Sequence, residues 1–441
     1  MARICAHLIA ENWPTGGDRS IKTEAMKGRL LILATGVAVA GFVAAKNRGG
    51  RPALSASVAG GRLTDAPAPR ELTRAALPLQ PDLQQLQLVG DHYEAPLPDG
   101  RRAILTLDPA LQQRAEALLQ QGAAPRAAIV MMRVNGAIVA LAGQRLEPNG
   151  DEPEQLADPD NAVLDAKVAT DTWAPAASVF KVVTGAALVA AGVRADDKVC
   201  YHGGLRSVVE SNLTDAAGDS SCESLTFGIS HSQNAIMAKL AYQHLEPAQL
   251  TDTATAFGFG TRAAVELPGL VGQVSLSEQR DLTFGQNAAG FSGSRLSALG
   301  GVQVANTIAS AGLRVTPHII RAIIEPDGNV TTLDARPSTR VLPAATARTV
   351  GAMMRQTCES GSAAKSFRRK NGFPAALTAA GKTGTLNGND PFPMQFSWFV
   401  GFAPADAPEY SISVVFGNTE NWRLKGHMAA SEMIQRALRK P

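Results

Sequence analysis

A lysine set in the middle of an unbroken apolar run constrains this chain more than any other feature. Lys181 is flanked by Val179, Phe180, Val182 and Val183, in a stretch that follows Trp173-Ala174-Pro175 and continues apolar to Leu188. Pro175 just ahead of the run reads as a helix start. When such a helix packs, its lysine loses hydration, its pKa falls, and polar partners must come from elsewhere in the chain. Ser178 stands three residues earlier, on the same helix face. It falls in the first turn, where unpaired N–H groups and the helix dipole favour negative charge. A serine one turn from a desolvated amine is an activated nucleophile in waiting. Alone, Ser-x-x-Lys is short and common on solvated surfaces, so its meaning depends on partners.

The chain of 441 residues is long enough for a large domain with accessory segments. Its 42 basic and 39 acidic residues nearly cancel, which excludes the charge footprint of a nucleic-acid binder. Residues 1–25 are polar and unpatterned, and read as a short tail or an over-long start. Met26-Lys27-Gly28-Arg29 leads into an uncharged run, Leu30 to Ala45, followed by Lys46, Arg48 and Arg51. Sixteen helical residues reach about 24 Å, slightly less than the ~30 Å hydrocarbon core. The reading is a signal anchor over 26–46 in the cytoplasmic membrane, with everything after it outside. A cleaved signal peptide is the alternative. Residues 47–101, rich in Ala, Pro and Gly, read as a linker, and 102–441 as one domain.

Within that domain Asp108-Pro109 predicts the N-cap and first position of an amphipathic helix to Gln121. Asn135-Gly136 between apolar runs 127–133 and 137–142 predicts a hairpin. Residues 144–172 read as loop. Ser230–Leu245 reads as a second helix carrying Ser232-Gln233-Asn234 at its start, and Arg295–Ala311 as a third. Residues 379–385, 395–403 and 410–416 read as strands, and 427–440 as a closing amphipathic helix. Cys200 and Cys222 bracket a segment rich in Gly, Ser and Asp. Outside the cytoplasm a disulfide would staple this loop; two reduced thiols are the alternative. A metal site with His202 fits no standard spacing, and no metal or organic cofactor is expected.

Ser178-x-x-Lys181, Ser232-x-Asn234 and Lys382-Thr383-Gly384-Thr385, in this order, resemble the three signatures of the penicillin-binding and serine β-lactamase superfamily. The likeness extends to Thr106-Leu107-Asp108, Phe257-Gly258-Phe259-Gly260, Glu266-Leu267-Pro268-Gly269, Ala305-Asn306 and Trp398-Phe399-Val400-Gly401. One departure is Ala176-Ala177 before the serine, where the family commonly has Pro-Gly; losing that glycine narrows backbone freedom.

The resemblance implies an α/β fold. An antiparallel sheet of about five strands, built from both ends of the domain, is flanked by helices, with an all-helical part beside it. The cleft lies between the serine helix and the Lys382 strand. It implies acyl transfer on D-Ala-D-Ala stem peptides of peptidoglycan by a monofunctional transpeptidase. Ser178 is then the nucleophile, Lys181 its base and Ser232 a proton relay. Asn234 orients Lys181 and substrate. Lys382, Thr383 and Thr385 hold the substrate carboxylate, and Gly384 permits close approach. The backbone N–H groups of Ser178 and Thr385 form the oxyanion hole. β-Lactams would acylate Ser178, and a membrane glycan polymerase would supply strands. The rivals are a serine β-lactamase, a D,D-carboxypeptidase, and a catalytically idle scaffold. The deacylating Glu-x-x-Leu-Asn of the commonest lactamase class is absent from the sequence.

Overall fold

The computed structural model describes residues 79–147, 162–264, 266–390, 392–419 and 422–439. The tail, the anchor with its 30–45 run and most of the linker lie outside these residues. Among the described residues no helix is long and apolar enough to cross a membrane.

The frame is an antiparallel six-stranded sheet made from both ends of the domain. Its order is Ala380–Gly388, Met394–Ala403, Tyr410–Asn418, Arg126–Arg133, Ile138–Leu146 and Ala162–Leu164. The expected five strands are joined by the last, a three-residue edge in the stretch read as loop. The Asn135-Gly136 hairpin forms, with Gly136 at φ 95°. The middle strands are apolar on both faces because both are covered. Ile129, Met131, Ile412, Val414 and Phe416 pack against Pro109–Gly122 and the closing helix Gly426–Leu438. Ala128, Val130, Val400 and Val415 face the opposite core, with the helix Ala298–Ala309 and the serine helix Lys181–Ala190. Asn306 fastens that layer by accepting a 3.0 Å hydrogen bond from Ser411 Oγ.

Four expectations need correction. The folded region begins before residue 102. Gln87–Val89 pairs with His92–Pro96, which pairs with Arg102–Leu105, in a second sheet completed by Ile320–Ile324 and Val330–Thr332. These strands are short, and Asp91 and Asp99-Gly100 turns separate them, so composition alone resembles a linker. The third helix starts at Ala298 rather than Arg295, because Ser294–Leu296 is a strand paired with Ala174–Pro175 and Ser297 is the N-cap. The 144–172 stretch also carries the helix Lys167–Thr170. The second helix is two helices, Leu225–Ser230 and Asn234–His244, with a break at Ser232.

Cys200 and Cys222 face each other across the hairpin Lys198–Tyr201/Ser221–Ser224 and are disulfide-bonded. The enclosed loop is pinned to the helix behind it by Lys239. Its Nζ donates to Cys200 O (2.8 Å) and Asp219 (2.7 Å) and pairs with Asp215. Replacing both cysteines by serine releases this loop in the unfolded chain. We expect a loss of about 3 kcal/mol of stability, read from denaturant midpoints with and without reductant; unchanged midpoints would show that the loop is held by Lys239 alone.

Candidate active site

The reactive cleft forms where the edge strand Ala380–Gly388 meets the turn that carries Ser178. That turn is a single 3-10 stretch, Ala177–Phe180, running straight into the helix that begins at Lys181. It is held from both sides. Trp398 Nε1 donates to Pro175 O at 2.9 Å, and Ala176 N–H donates to Ser294 O at 3.0 Å. Gly384 permits the close approach of strand and turn: a Cβ there would sit 3.4 Å from Ala177 Cβ and 3.0 Å from Trp398 Cβ. The glycine thus serves the fit of strand to serine turn.

Lys181 is fully buried. Its Nζ has three neighbours: Ser178 Oγ at 2.6 Å, Asn234 Oδ1 at 2.7 Å and the Ala289 carbonyl at 2.7 Å. Burial, reinforced by the charge of Lys382, holds its pKa well below the ordinary lysine value. A neutral amine has two N–H donors and one lone pair. The amide and carbonyl oxygens can only accept, so they take both donors, and the lone pair is left facing the serine hydroxyl. Partner geometry alone therefore aims the base.

The carbonyl of Ala289 was not foreseen. It belongs to the end of a helix, Leu282–Ala288, that sequence periodicity does not reveal. The terminal carbonyls of a helix need donors, and the serine helix supplies them through Lys181 and through Thr184 Oγ1, which donates to Ala288 O at 2.8 Å. The stop is written in Gly290, at φ 81°, which follows Ala288-Ala289 and ends the helix in a left-handed turn.

Ser232 occupies a similar turn. The helix Leu225–Ser230 closes with Ser232 N–H to Ile229 O and Gln233 N–H to Gly228 O, the double bond pattern that normally wants glycine at the left-handed position. Serine is there instead, at φ 60°. The turn aims Ser232 Oγ at Lys382 Nζ, 2.9 Å away. Ser232 therefore contacts Lys382, while Lys181 contacts Ser178 and Asn234. Lys382 is also fully buried, and desolvation brings its pKa down to about 7. Its Nζ donates further to Thr383 O at 2.9 Å. Thr383 Oγ1 lies 2.6 Å from Ser362 Oγ, a partner outside the motifs, and Thr385 is exposed at the cleft.

Asn234 is fixed by the disulfide loop. Its Nδ2 donates to Gly204 O at 2.7 Å and Leu205 O at 3.2 Å. Those bonds orient the amide so that its oxygen faces Lys181. The structure thus unites Ser178, Lys181, Ser232, Asn234, Lys382, Thr383, Gly384 and Thr385 around one cleft, and ties Cys200–Cys222 to it through residues 204 and 205.

Known proteins resemble this chain in sequence and in fold. The profile of the family described as "Penicillin binding protein transpeptidase domain" matches residues 127–438. Penicillin-binding protein PbpB of Mycolicibacterium smegmatis is 28% identical over 339 residues, 72% of this chain and 50% of that protein. Peptidoglycan D,D-transpeptidase PbpA of Mycobacterium tuberculosis is 26% identical over 354 residues, 75% of this chain and 70% of that protein. The chain thus spans about half the length of the PbpB relatives. Among solved structures, penicillin-binding protein A of M. tuberculosis, as its ceftriaxone acyl-enzyme, superposes with a TM-score of 0.61 at 22% identity. The match covers 77% of this chain and 80% of that one.

Ala177, where the family commonly has glycine, lies at φ 49°. A left-handed alanine costs about 1–2 kcal/mol relative to an unstrained residue. Ala177→Gly should therefore raise stability by about 1 kcal/mol, visible as a higher melting temperature; a lower one would mean that burial of the Ala177 methyl outweighs the strain.

Proposed function

The chain belongs to the penicillin-binding protein transpeptidase family, and on that premise we propose that it is a serine D,D-transpeptidase cross-linking peptidoglycan stem peptides. The observation that carries this reading is the fully buried Lys181 Nζ, 2.6 Å from Ser178 Oγ and held by two oxygens that can only accept, Asn234 Oδ1 and Ala289 O. Ser178 Oγ attacks the carbonyl of the penultimate D-Ala while its proton passes to Lys181. The developing oxyanion is held by the backbone N–H groups of Ser178 and Thr385; losing one such donor costs about 3–4 kcal/mol in the barrier. The C–N bond then breaks. Ser232, hydrogen-bonded to Lys382, passes a proton to the departing D-Ala amine. The Lys382 charge and the hydroxyls of Thr383 and Thr385 hold the substrate carboxylate. The proton that Ser232 gives up is replaced from protonated Lys181, which is then neutral again. An amine from a neighbouring stem next attacks the ester; Lys181 takes its proton and returns it to Ser178 Oγ as the ester C–O bond breaks.

Two comparisons support the assignment: the relative named peptidoglycan D,D-transpeptidase, and the fold shared with a protein solved as a β-lactam acyl-enzyme. By the same reading β-lactams acylate Ser178 and leave an ester that turns over slowly. The cellular setting is part of the proposal. Residues 30–45 anchor the chain in the cytoplasmic membrane, the catalytic domain lies on the outer side, and a membrane glycan polymerase supplies uncross-linked strands.

The primary test is intact-mass detection of a penicillin adduct. Wild type should gain one stable adduct and Ser178→Ala none, while Lys181→Ala should acylate about 10²–10⁴-fold more slowly. Absence of an adduct on folded wild type would reject the assignment, and rapid turnover would convert it to a lactamase.

The second-order acylation constant should also depend on pH as a bell. It rises as Lys181 loses its proton through its depressed pKa, and falls as Lys382 loses its charge near the free-enzyme value of about 7. Stopped-flow acylation from pH 5 to 9 reads both limbs; a flat profile would exclude the two lysines as base and carboxylate anchor.

A further inference from the structure

A second concavity, of about 1050 Å³, opens beside the cleft. It is walled by the helix Pro109–Gly122, the turns after the helix Ala344–Glu359, and the closing helix Gly426–Leu438. Ser362 stands at its edge and joins it to the cleft, because Ser362 Oγ lies 2.6 Å from Thr383 Oγ1. Ser362 is fixed in that place by its N–H, which donates to Ser230 O at 2.9 Å, two residues before Ser232. The concavity is therefore one hydrogen bond from the group proposed to hold the substrate carboxylate.

Its walls are positive. Arg114, Lys365, Lys425, Arg436 and Arg439 line it, against the single carboxylate of Glu432. Glu432 is taken by Arg114. Among the described residues the other four cations have no carboxylate partner, and the adjacent turn adds Arg368, Arg369 and Lys370. His427, half-buried at the floor and hydrogen-bonded to Ser366, has its pKa pushed down to about 4, first by burial and then by the charges of Lys425 and Lys365. A concavity of this size exceeds what a lone small anion fills, and suits a run of peptide or sugar carrying several charges.

We propose that this groove is an extended binding site for carboxylate groups on the same wall strand that delivers the reacting stem to Ser178. The inference rests on the transpeptidase reading, which supplies the occupant: a polymer whose peptide branches end in free carboxylates and recur along the chain. A strand with one stem in the cleft must lay its neighbouring stems over adjacent surface. The groove continuous with Thr383 through Ser362 meets them with four cations that have no carboxylate partner among the described residues. Such contacts act through field and screening, so they set encounter and salt dependence more than chemistry at the serine.

The test measures binding of a soluble, uncross-linked glycan strand bearing pentapeptide stems to the full chain, before and after penicillin treatment, across ionic strengths. Lys365→Glu with Arg436→Glu reverses two exposed cations on separate walls. This variant should bind the strand at least about tenfold more weakly at low salt and with a flatter salt slope, at an unchanged melting temperature. Wild type should lose a similar factor when the strand's carboxylates are amidated. Equal affinity of the variant, or of the amidated strand, overturns the proposal. So does tighter binding to phosphatidylglycerol vesicles that is lost in the same variant, which would assign the cations to lipid headgroups. The penicillin adduct keeps the two readings apart. A chain that acylates but ignores the charge reversal loses only the groove; a chain that never acylates loses the transpeptidase assignment itself.

Discussion

Hiding one amine from water is the condition that the rest of this molecule satisfies. A charged lysine taken fully into the interior costs several kcal/mol, and Lys181 is fully buried. It is tolerated because it can shed its proton and because three oxygens surround it. Those oxygens come from positions 3, 53 and 108 residues away in sequence. Each is supplied by a different element: the serine turn, the start of the helix Asn234–His244, and the end of the helix Leu282–Ala288. Removing any of these elements would leave a buried polar group without its partner, so the fold and the base are specified together.

The second lysine is treated differently. Lys382 is as buried as Lys181, yet its partners are a hydroxyl and a neighbouring carbonyl, and its pKa settles at about 7. Two ammonium groups close together repel, so the pair favours one charge over two. Lys181, which burial and the Lys382 charge both push down, is the proposed base. Lys382, lowered by burial alone, is the proposed carboxylate anchor. This division of labour between chemically identical side chains is decided by surroundings alone.

Backbone strain marks the same region. Ala177 and Ser232 both sit at positive φ, without being glycine, immediately beside or at the reacting groups. Each such residue costs about 1–3 kcal/mol and persists only where the surroundings fix it. Here the fixing is visible. Trp398 and Ser294 hold the backbone ahead of Ala177. Ser232 is locked by the terminal hydrogen bonds of the preceding helix. The disulfide-closed loop adds a third restraint through its two carbonyls on Asn234. Strain and restraint together hold two contacts in place, Ser178 Oγ to Lys181 Nζ at 2.6 Å and Ser232 Oγ to Lys382 Nζ at 2.9 Å.

Much of this was legible along the chain, because local patterns encode local structure. The Asp108-Pro109 cap, the Asn135-Gly136 hairpin, the two long apolar strands and the closing helix all follow from periodicity and turn chemistry, and all are present. The eight motif residues were found by type and spacing, and the apolar neighbours of Lys181 foretold its burial. What the sequence left undecided depends on partners distant in the chain. The break at Ser232 looks like continuous helix, because serine is not the residue that usually ends one. The carbonyl of Ala289 has no side chain to signal it, and Ser362 is an ordinary surface serine until Thr383 meets it. The cysteines allowed either a bond or two thiols until the hairpin set them face to face. The amino-acid sequence by itself supplied the serines, lysines and threonines of the cleft, and indicated that the Lys181 amine would be dry. Only the tertiary structure decided which lone pair faces which proton, because hydrogen-bond direction and charge depend on distances between elements that no local pattern contains.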